Sequence, residues 1–179
     1  MDSAQAYGYM LYFVSLMTMG GIYAIMCLGL NIQWGFTGLF NAGIAGFFAI
    51  GAYVTAILTT AVSTSHLGGY DLPVAIGLIS AMAVTAVIAW LVGLLCIRLR
   101  SDYLAIATIG IGEIFRLILK NEIWATNGAR GIAKIPLPFE TLSEPWNKIC
   151  FMLLVLAVVA LFYFVIERAR QAPWGRLMT

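Results

Sequence analysis

Residues 72–97 read LPVAIGLISAMAVTAVIAWLVGLLCI, 26 positions without a charge, closed at once by Arg98 and Arg100. As an α-helix this run is about 39 Å long, more than enough for a hydrocarbon core of about 30 Å. A soluble helix needs a polar face, and apolarity this uniform supplies none. The segment reads as a membrane span, with its two-arginine end on the cytoplasmic side where basic residues are retained.

The rest of the chain agrees. Of 179 residues, 62% are hydrophobic and 10% charged, against about 45–50% and 25% in soluble domains. After Asp2 the next charge is Asp71, so 68 consecutive residues carry none, and residues 150–166 form another uncharged stretch. Disorder is excluded, and a water-soluble globule does not fit. The fold class expected is all-α, a polytopic transmembrane helical bundle of about five spans.

Residues 9–30 make the first span. No Lys or Arg precedes it, and it is too long for a cleaved signal segment, so it reads as a retained helix with its start outside. An interval rich in amides and glycine follows, Asn31-Ile-Gln33-Trp-Gly-Phe-Thr-Gly38, then an apolar run over 39–62. Gly38, Ala42 and Gly46 recur every four residues, as do Ala45 and Ala49, a spacing that brings a neighbouring helix close. Gly43 and Gly51 extend the small-residue surface. Two readings stay open here: packing alone, or a broken helix whose freed backbone lines a pathway together with Asn31, Gln33 and Asn41.

Residues 63–71 form a loop before Pro73. Beyond Arg98, residues 103–120 place Glu113, Arg116 and Lys120 three and four apart, on one helical face. This helix either lies at the interface or crosses with its charged stripe toward protein or water. Arg168, Arg170 and Arg176 mark a second cytoplasmic position, and counting 103–120 as a crossing puts loop 121–148 outside, with Trp124 and Trp146 near its membrane borders. Glu113 then sits near mid-membrane. It serves either as the partner of Arg116 or as part of a solute route and its gate.

Other classes find little support. A net charge of +2 with no basic cluster argues against nucleic acid. His66 is the sole histidine, and Cys27, Cys96 and Cys150 are far apart in apolar runs, so no metal site, disulfide framework or cofactor is expected. No hydrolase or phosphate-loop motif occurs, and an enzyme is not expected.

Two long stretches, residues 30–53 (LNIQWGFTGLFNAGIAGFFAIGAY) and 98–116 (RLRSDYLAIATIGIGEIFR), resemble the permease subunits of bacterial ABC importers for branched-chain amino acids, the LivM-type family. Asn127-Gly128, Gly131-Ile132, Ile135-Pro136 and Pro173-Trp-Gly-Arg176 continue the match, the last with Ala172 and Trp174 where the family has Ser and Phe. Family members continue beyond this point with a cytoplasmic coupling region and further spans. Residues 1–179 are therefore expected to be the N-terminal part of a single transmembrane permease domain. The resemblance implies two ATP-binding subunits, a sister permease, an extracytoplasmic solute-binding protein, branched-chain amino acids as solute, and a bacterial plasma (inner) membrane location. A urea or short-amide importer is the alternative within transport, and a small channel or structural membrane subunit the alternative outside it.

The topology is testable by labelling in a background without native cysteines. Cysteines at Asn127 and Ser143 should react with an impermeant thiol reagent from outside, and one at Ser101 only after permeabilisation. External labelling at Ser101 would reverse the assignment.

Overall fold

The computed structural model describes residues 3–36, 38–62, 67–96, 98–139 and 143–171. Among them every regular element is helical: α1 (Ser3–Asn31), a π-helical turn (Ile32–Phe36), α2 (Ile44–Thr59), α3 (Val74–Cys96), α4 (Ser101–Asn121), the short α5 (Ile123–Thr126), a 3-10 turn (Gly128–Arg130) and α6 (Trp146–Gln171). Among the described residues, three segments are long and apolar enough to cross a membrane: Gln5–Gly35, Val74–Cys96 and Trp146–Gln171. Exposed Leu16, Ile79, Met82, Trp90, Leu95 and Phe164 cover these helices. That is the inverse of a soluble bundle, and it calls for hydrocarbon or further apolar helices around them.

The chain divides into two compact units, residues 1–38 with 137–179 and residues 39–136. The first is the α1–α6 pair. Val14 and Val155 are buried in it, and a Cβ on Gly21 would stand 2.6 Å from Val155 Cγ1. Without a side chain at Gly21, the Val155 methyls rest directly on the α1 backbone. Farther along, Ala24, Cys27, Leu28 and Asn31 of α1 share a shallow groove of about 440 Å³ with Leu156, Val159, Ala160 and Tyr163 of α6. Higher numbers on α1 meet higher numbers on α6, so the two helices run in the same direction.

The second unit is organised by α2, which packs against both α3 and α4. Toward α3 the fit is again between glycine and side chain: a Cβ on Gly77 would lie 2.5 Å from Thr59 Cγ2, and one on Gly51 3.4 Å from Thr85 Oγ1. Numbers rise along α2 as they fall along α3, which makes an antiparallel hairpin. The hydroxyls of Thr55 and Thr59 donate to the carbonyls of Gly51 and Thr55 at 3.0 and 2.8 Å, and Thr60 donates likewise to Ala56. Back-bonding of this kind hides the hydroxyl inside its own helix and leaves the methyl for packing.

Loops close the unit at one end. The N–H groups of Gly69 and Leu72 donate to the carbonyls of Ile57 and Leu58 at 3.2 and 3.1 Å, and that of Leu67 to the Trp124 carbonyl at 2.5 Å. Behind α4, Thr126 is buried, and its hydroxyl shares its one proton between the carbonyls of Leu119 (2.5 Å) and Glu122 (2.8 Å) while accepting from the Gly128 N–H (3.3 Å). Asn127 and Gly128 turn the chain with φ of 63° and 60°. The Asn-Gly pair thus ends the helix, since asparagine and glycine tolerate the left-handed conformation a sharp stop requires.

Adjacent glycines on α1 provide a matched test. A Cβ on Gly20 would have nothing within 4 Å, whereas one on Gly21 abuts Val155. Thermal unfolding in detergent should find Gly20→Ala unchanged or stabilised by up to about 1 kcal/mol from helix propensity, and Gly21→Ala destabilised by about 1–2 kcal/mol from overpacking. Equal effects at the two positions would mean that α1 and α6 do not meet here.

Candidate functional site: the lead-in to α2 and its seat on α4

The amide-rich interval behaves differently in its two parts. Residues 32–36 continue α1 as a π-helical turn, and the Gly38 N–H closes it on the Trp34 carbonyl at 3.1 Å. Asn31 folds its side chain over this turn: a Cβ on Gly35 would stand 2.6 Å from Asn31 Oδ1, so a larger residue there would displace the amide. Asn31 also borders a second shallow pocket, with Cys27, Leu30, Trp34 and Gly35. Gln33 belongs to the same turn. Asn31 and Gln33 thus lie in the first unit, and Asn41, Glu113 and Arg116 in the second.

Residues 39–43 are not helical. The expected helical run over 39–62 narrows to Ile44–Thr59, 16 residues or about 24 Å. Gly38 has φ +67° and open space around it, and Ala42 and Gly43 form a turn. The line Gly38–Ala42–Gly46 is therefore not a helical face, and of the three only Gly46 lies within α2. The physical cause is local. Asn41 Oδ1 accepts the Gly43 N–H at 2.9 Å, a side-chain turn that competes with helix formation, and α2 begins only when the Gly43 carbonyl accepts from Gly46 and Phe47 at 2.9 and 3.3 Å.

This lead-in is seated on α4. The Ala42 N–H donates to Thr108 Oγ1 at 3.2 Å, and the Thr108 hydroxyl donates to the Ala105 carbonyl at 3.0 Å. Thr108 is 3% exposed. A Cβ on Gly43 would lie 2.8 Å from the Thr108 carbonyl oxygen, and one on Gly46 2.9 Å from Gly112 Cα and 3.3 Å from Phe115. Gly112 returns the fit, with Gly43 Cα 3.3 Å from its own Cβ position, and the Phe47 and Phe115 rings follow with centroids 5.8 Å apart. Numbers rise together along α2 and α4, so these helices run parallel. Gly43 meets α4 at Thr108, about 10 Å along the axis from Ser101, so α2 starts well past the beginning of its neighbour.

The charged stripe lies elsewhere on α4. Arg116 grips Glu113 through two donors, Nε to Oε2 at 2.8 Å and a terminal nitrogen to Oε1 at 2.6 Å. The side chains are 49% and 60% exposed for Glu113 and Arg116. A pair three residues apart forms within its own helix and needs no second element. Residues 108, 112 and 115 point to α2, while 113, 116 and 120 are turned by roughly a quarter to a third of a revolution. Among the described residues no group of three His, Cys, Asp or Glu side chains could hold a metal ion.

The sequence profile of the family described as the branched-chain amino acid transport system permease component matches residues 12–179. The chain belongs to this family of transport permeases. It is 40% identical over 190 residues, covering 91% of this chain, to the high-affinity branched-chain amino acid transport system permease protein LivM of Salmonella typhimurium, and 37% identical over 186 residues to that of Escherichia coli. It also matches LivH of Salmonella typhimurium, another permease protein of that transport system, at 29% identity over 129 residues, 69% of this chain. The chain spans 42% of the length of the LivM relatives and 41% of LivH. No solved structure matches it significantly.

Thr108, Gly112 and Phe115 escape a reading based on charge. The signal that finds them is the i, i+4, i+7 line of one hydroxyl, one bare backbone and one ring on the side of α4 away from Glu113. Because Gly46 is closed in and Gly110 is open on all sides, Gly46→Leu should lower the unfolding midpoint by the equivalent of about 1–3 kcal/mol, and Gly110→Leu should not. Similar tolerance at the two sites would remove the α2–α4 seat.

Proposed function

We propose that this chain is a membrane-spanning part of a permease subunit in an ATP-driven importer of branched-chain amino acids, working in a bacterial plasma membrane. Family membership over residues 12–179 and the 40% identity to LivM support the solute class. In this reading both units belong to one permease domain. Two ATP-binding subunits, a sister permease and an extracytoplasmic solute-binding protein complete the machine. The chain itself does no chemistry on the solute.

The observation that carries the mechanism is the non-helical stretch 39–43, whose Ala42 and Gly43 lie against α4 at Thr108. With α4 crossing the membrane, this backbone lies at membrane depth, about 10 Å from the cytoplasmic end of the helix. Irregular backbone is tolerated there only where it is buried in protein or lines a cavity. Broken helices at this depth are how many transporters present backbone and amide groups to a solute. Asn41 on the lead-in, Asn31 just before the π-helical turn, Gln33 within it, and the Glu113–Arg116 pair are the groups we assign to the route or its gate.

Five crossings follow in this reading. The parallel α1 and α6 need an odd number of crossings between them, and α2, α3 and α4, alternating in direction, supply three. Arg98 and Arg168 then share the cytoplasmic side, in keeping with retention of basic residues there.

The test uses the full-length permease reconstituted with its partner subunits, measuring leucine uptake per assembled complex. Glu113→Gln removes the charge and keeps the shape. If the carboxylate serves the route, uptake should fall while assembly holds, and adding Arg116→Gln should not restore it. If the pair is only structural, the single variant should lose assembly by stranding the arginine, and the double variant should regain it. Near wild-type uptake by Glu113→Gln would remove the carboxylate from the route.

A further inference from the structure

The backbone of Ala42 raises a problem that the permease reading does not solve. Its N–H precedes α2 and is no part of a helical ladder, and the residue is half-buried against α4. In a membrane such a group needs an internal acceptor. The acceptor is Thr108 Oγ1, at 3.2 Å.

A threonine inside a helix usually turns its hydroxyl back on its own turn, as Thr55 and Thr59 do. Thr108 does this too, donating to the Ala105 carbonyl at 3.0 Å. Its single proton is thereby committed inward, and the oxygen lone pairs are left facing outward as acceptors. That fixes both the rotamer and the polarity of the contact with Ala42. The carbonyl oxygen of the same residue abuts Gly43, where a Cβ would come within 2.8 Å. One residue of α4 therefore meets two successive residues of the lead-in, one through its side chain and the other through its backbone. At 3% exposure, no water competes for the hydroxyl.

We infer that Thr108 is a positioning residue for transport: its hydroxyl locks the non-helical lead-in of α2, with Asn41, to α4, so that the lead-in and the helix bearing Glu113 and Arg116 move as one body. The inference rests on the permease reading of the preceding subsection for its consequence in uptake, but the lock itself is a property of this unit alone. The local turn made by Asn41 shapes the lead-in, and Thr108 anchors it. Without the anchor, the packing of Gly43, Gly46 and Gly112 still brings the helices together, and the backbone ahead of them loses its fixed position.

Two measurements on the full permease complex test this. The first needs no transport. In a background without native cysteines, a cysteine at Ala42 keeps the backbone N–H and reports on the lead-in. Its rate of reaction with a small membrane-permeant thiol reagent should rise roughly tenfold in Thr108→Val, which keeps the shape and removes the hydroxyl, and stay near the parent rate in Thr108→Ser, which restores it. The second, without the reporter cysteine, measures leucine uptake and ATP hydrolysis per assembled complex. Thr108→Val should lower uptake per ATP hydrolysed roughly tenfold at unchanged assembly, with Thr108→Ser near wild type.

Equal thiol reactivity in all three forms would overturn the lock. Raised reactivity with uptake per ATP unchanged would overturn its role in transport, as would uptake and hydrolysis falling together in step with lost assembly. A parent complex that imports a different solute sinks the substrate reading alone, because the thiol rates and the uptake ratio for that solute still decide the inference.

Discussion

A peptide N–H that has left its helix must find an acceptor before it can lie in hydrocarbon, and that constraint governs the second unit. The bond from Ala42 to Thr108 allows the chain to run without a ladder between the π-helical turn and α2. Once the bond is present, α2 can start partway along α4 instead of level with its first residue. The glycines act beside it. With the lead-in held against the α4 backbone, Gly43 and Gly46 face Thr108 and Gly112 at distances no Cβ would permit. Close packing brings the helices together here, and the hydrogen bond fixes the backbone that leads into them.

The same economy appears in the first unit, where Gly21 admits Val155 and Gly35 admits the Asn31 side chain. Lipid gives helices no hydrophobic reason to prefer one another, so contact area and backbone approach must supply the preference. The pairs α1–α6, α2–α3 and α2–α4 each have at least one bare backbone at a close approach. What differs is polarity. Gly21 faces an aliphatic methyl, Gly51 a buried hydroxyl with no partner among the described residues, and Gly43 a carbonyl oxygen. Of these three, Gly43 has a described hydrogen bond between elements beside its approach, from Ala42 to Thr108.

Hydropathy made most of the fold legible. The uncharged runs over 9–30, 72–97 and 150–166 lie within or nearly coincide with α1, α3 and α6, because length and apolarity are what a bilayer selects. The Glu113–Arg116 pair was equally readable, since a spacing of three within one helix needs no tertiary information. The start of α2 was not. Leu39, Phe40 and Ala42 are as apolar as the helix that follows, and what ends the helical pattern is one asparagine side chain bonding two residues on. Thr108 was hidden for a related reason. In sequence it is one hydroxyl in a run of isoleucine and alanine, with nothing to separate it from the back-bonded Thr55 and Thr59. The difference lies in what stands across the gap, and that is set by the parallel course of α2 and α4, which no local pattern encodes.

Helix α4 therefore carries two unlike faces at nearly one depth. One is bare and hydroxylic and is used up by α2. The other presents an ion pair already satisfied within the helix, so neither charge demands a fixed partner. A pair of that kind can remain at a boundary whose opposite side changes during a cycle, because its own bonds do not depend on what faces it. A lone carboxylate at the same place would need one constant neighbour. The arrangement suits a helix gripped by α2 on one side and carrying a self-satisfied charged stripe of Glu113, Arg116 and Lys120 on another.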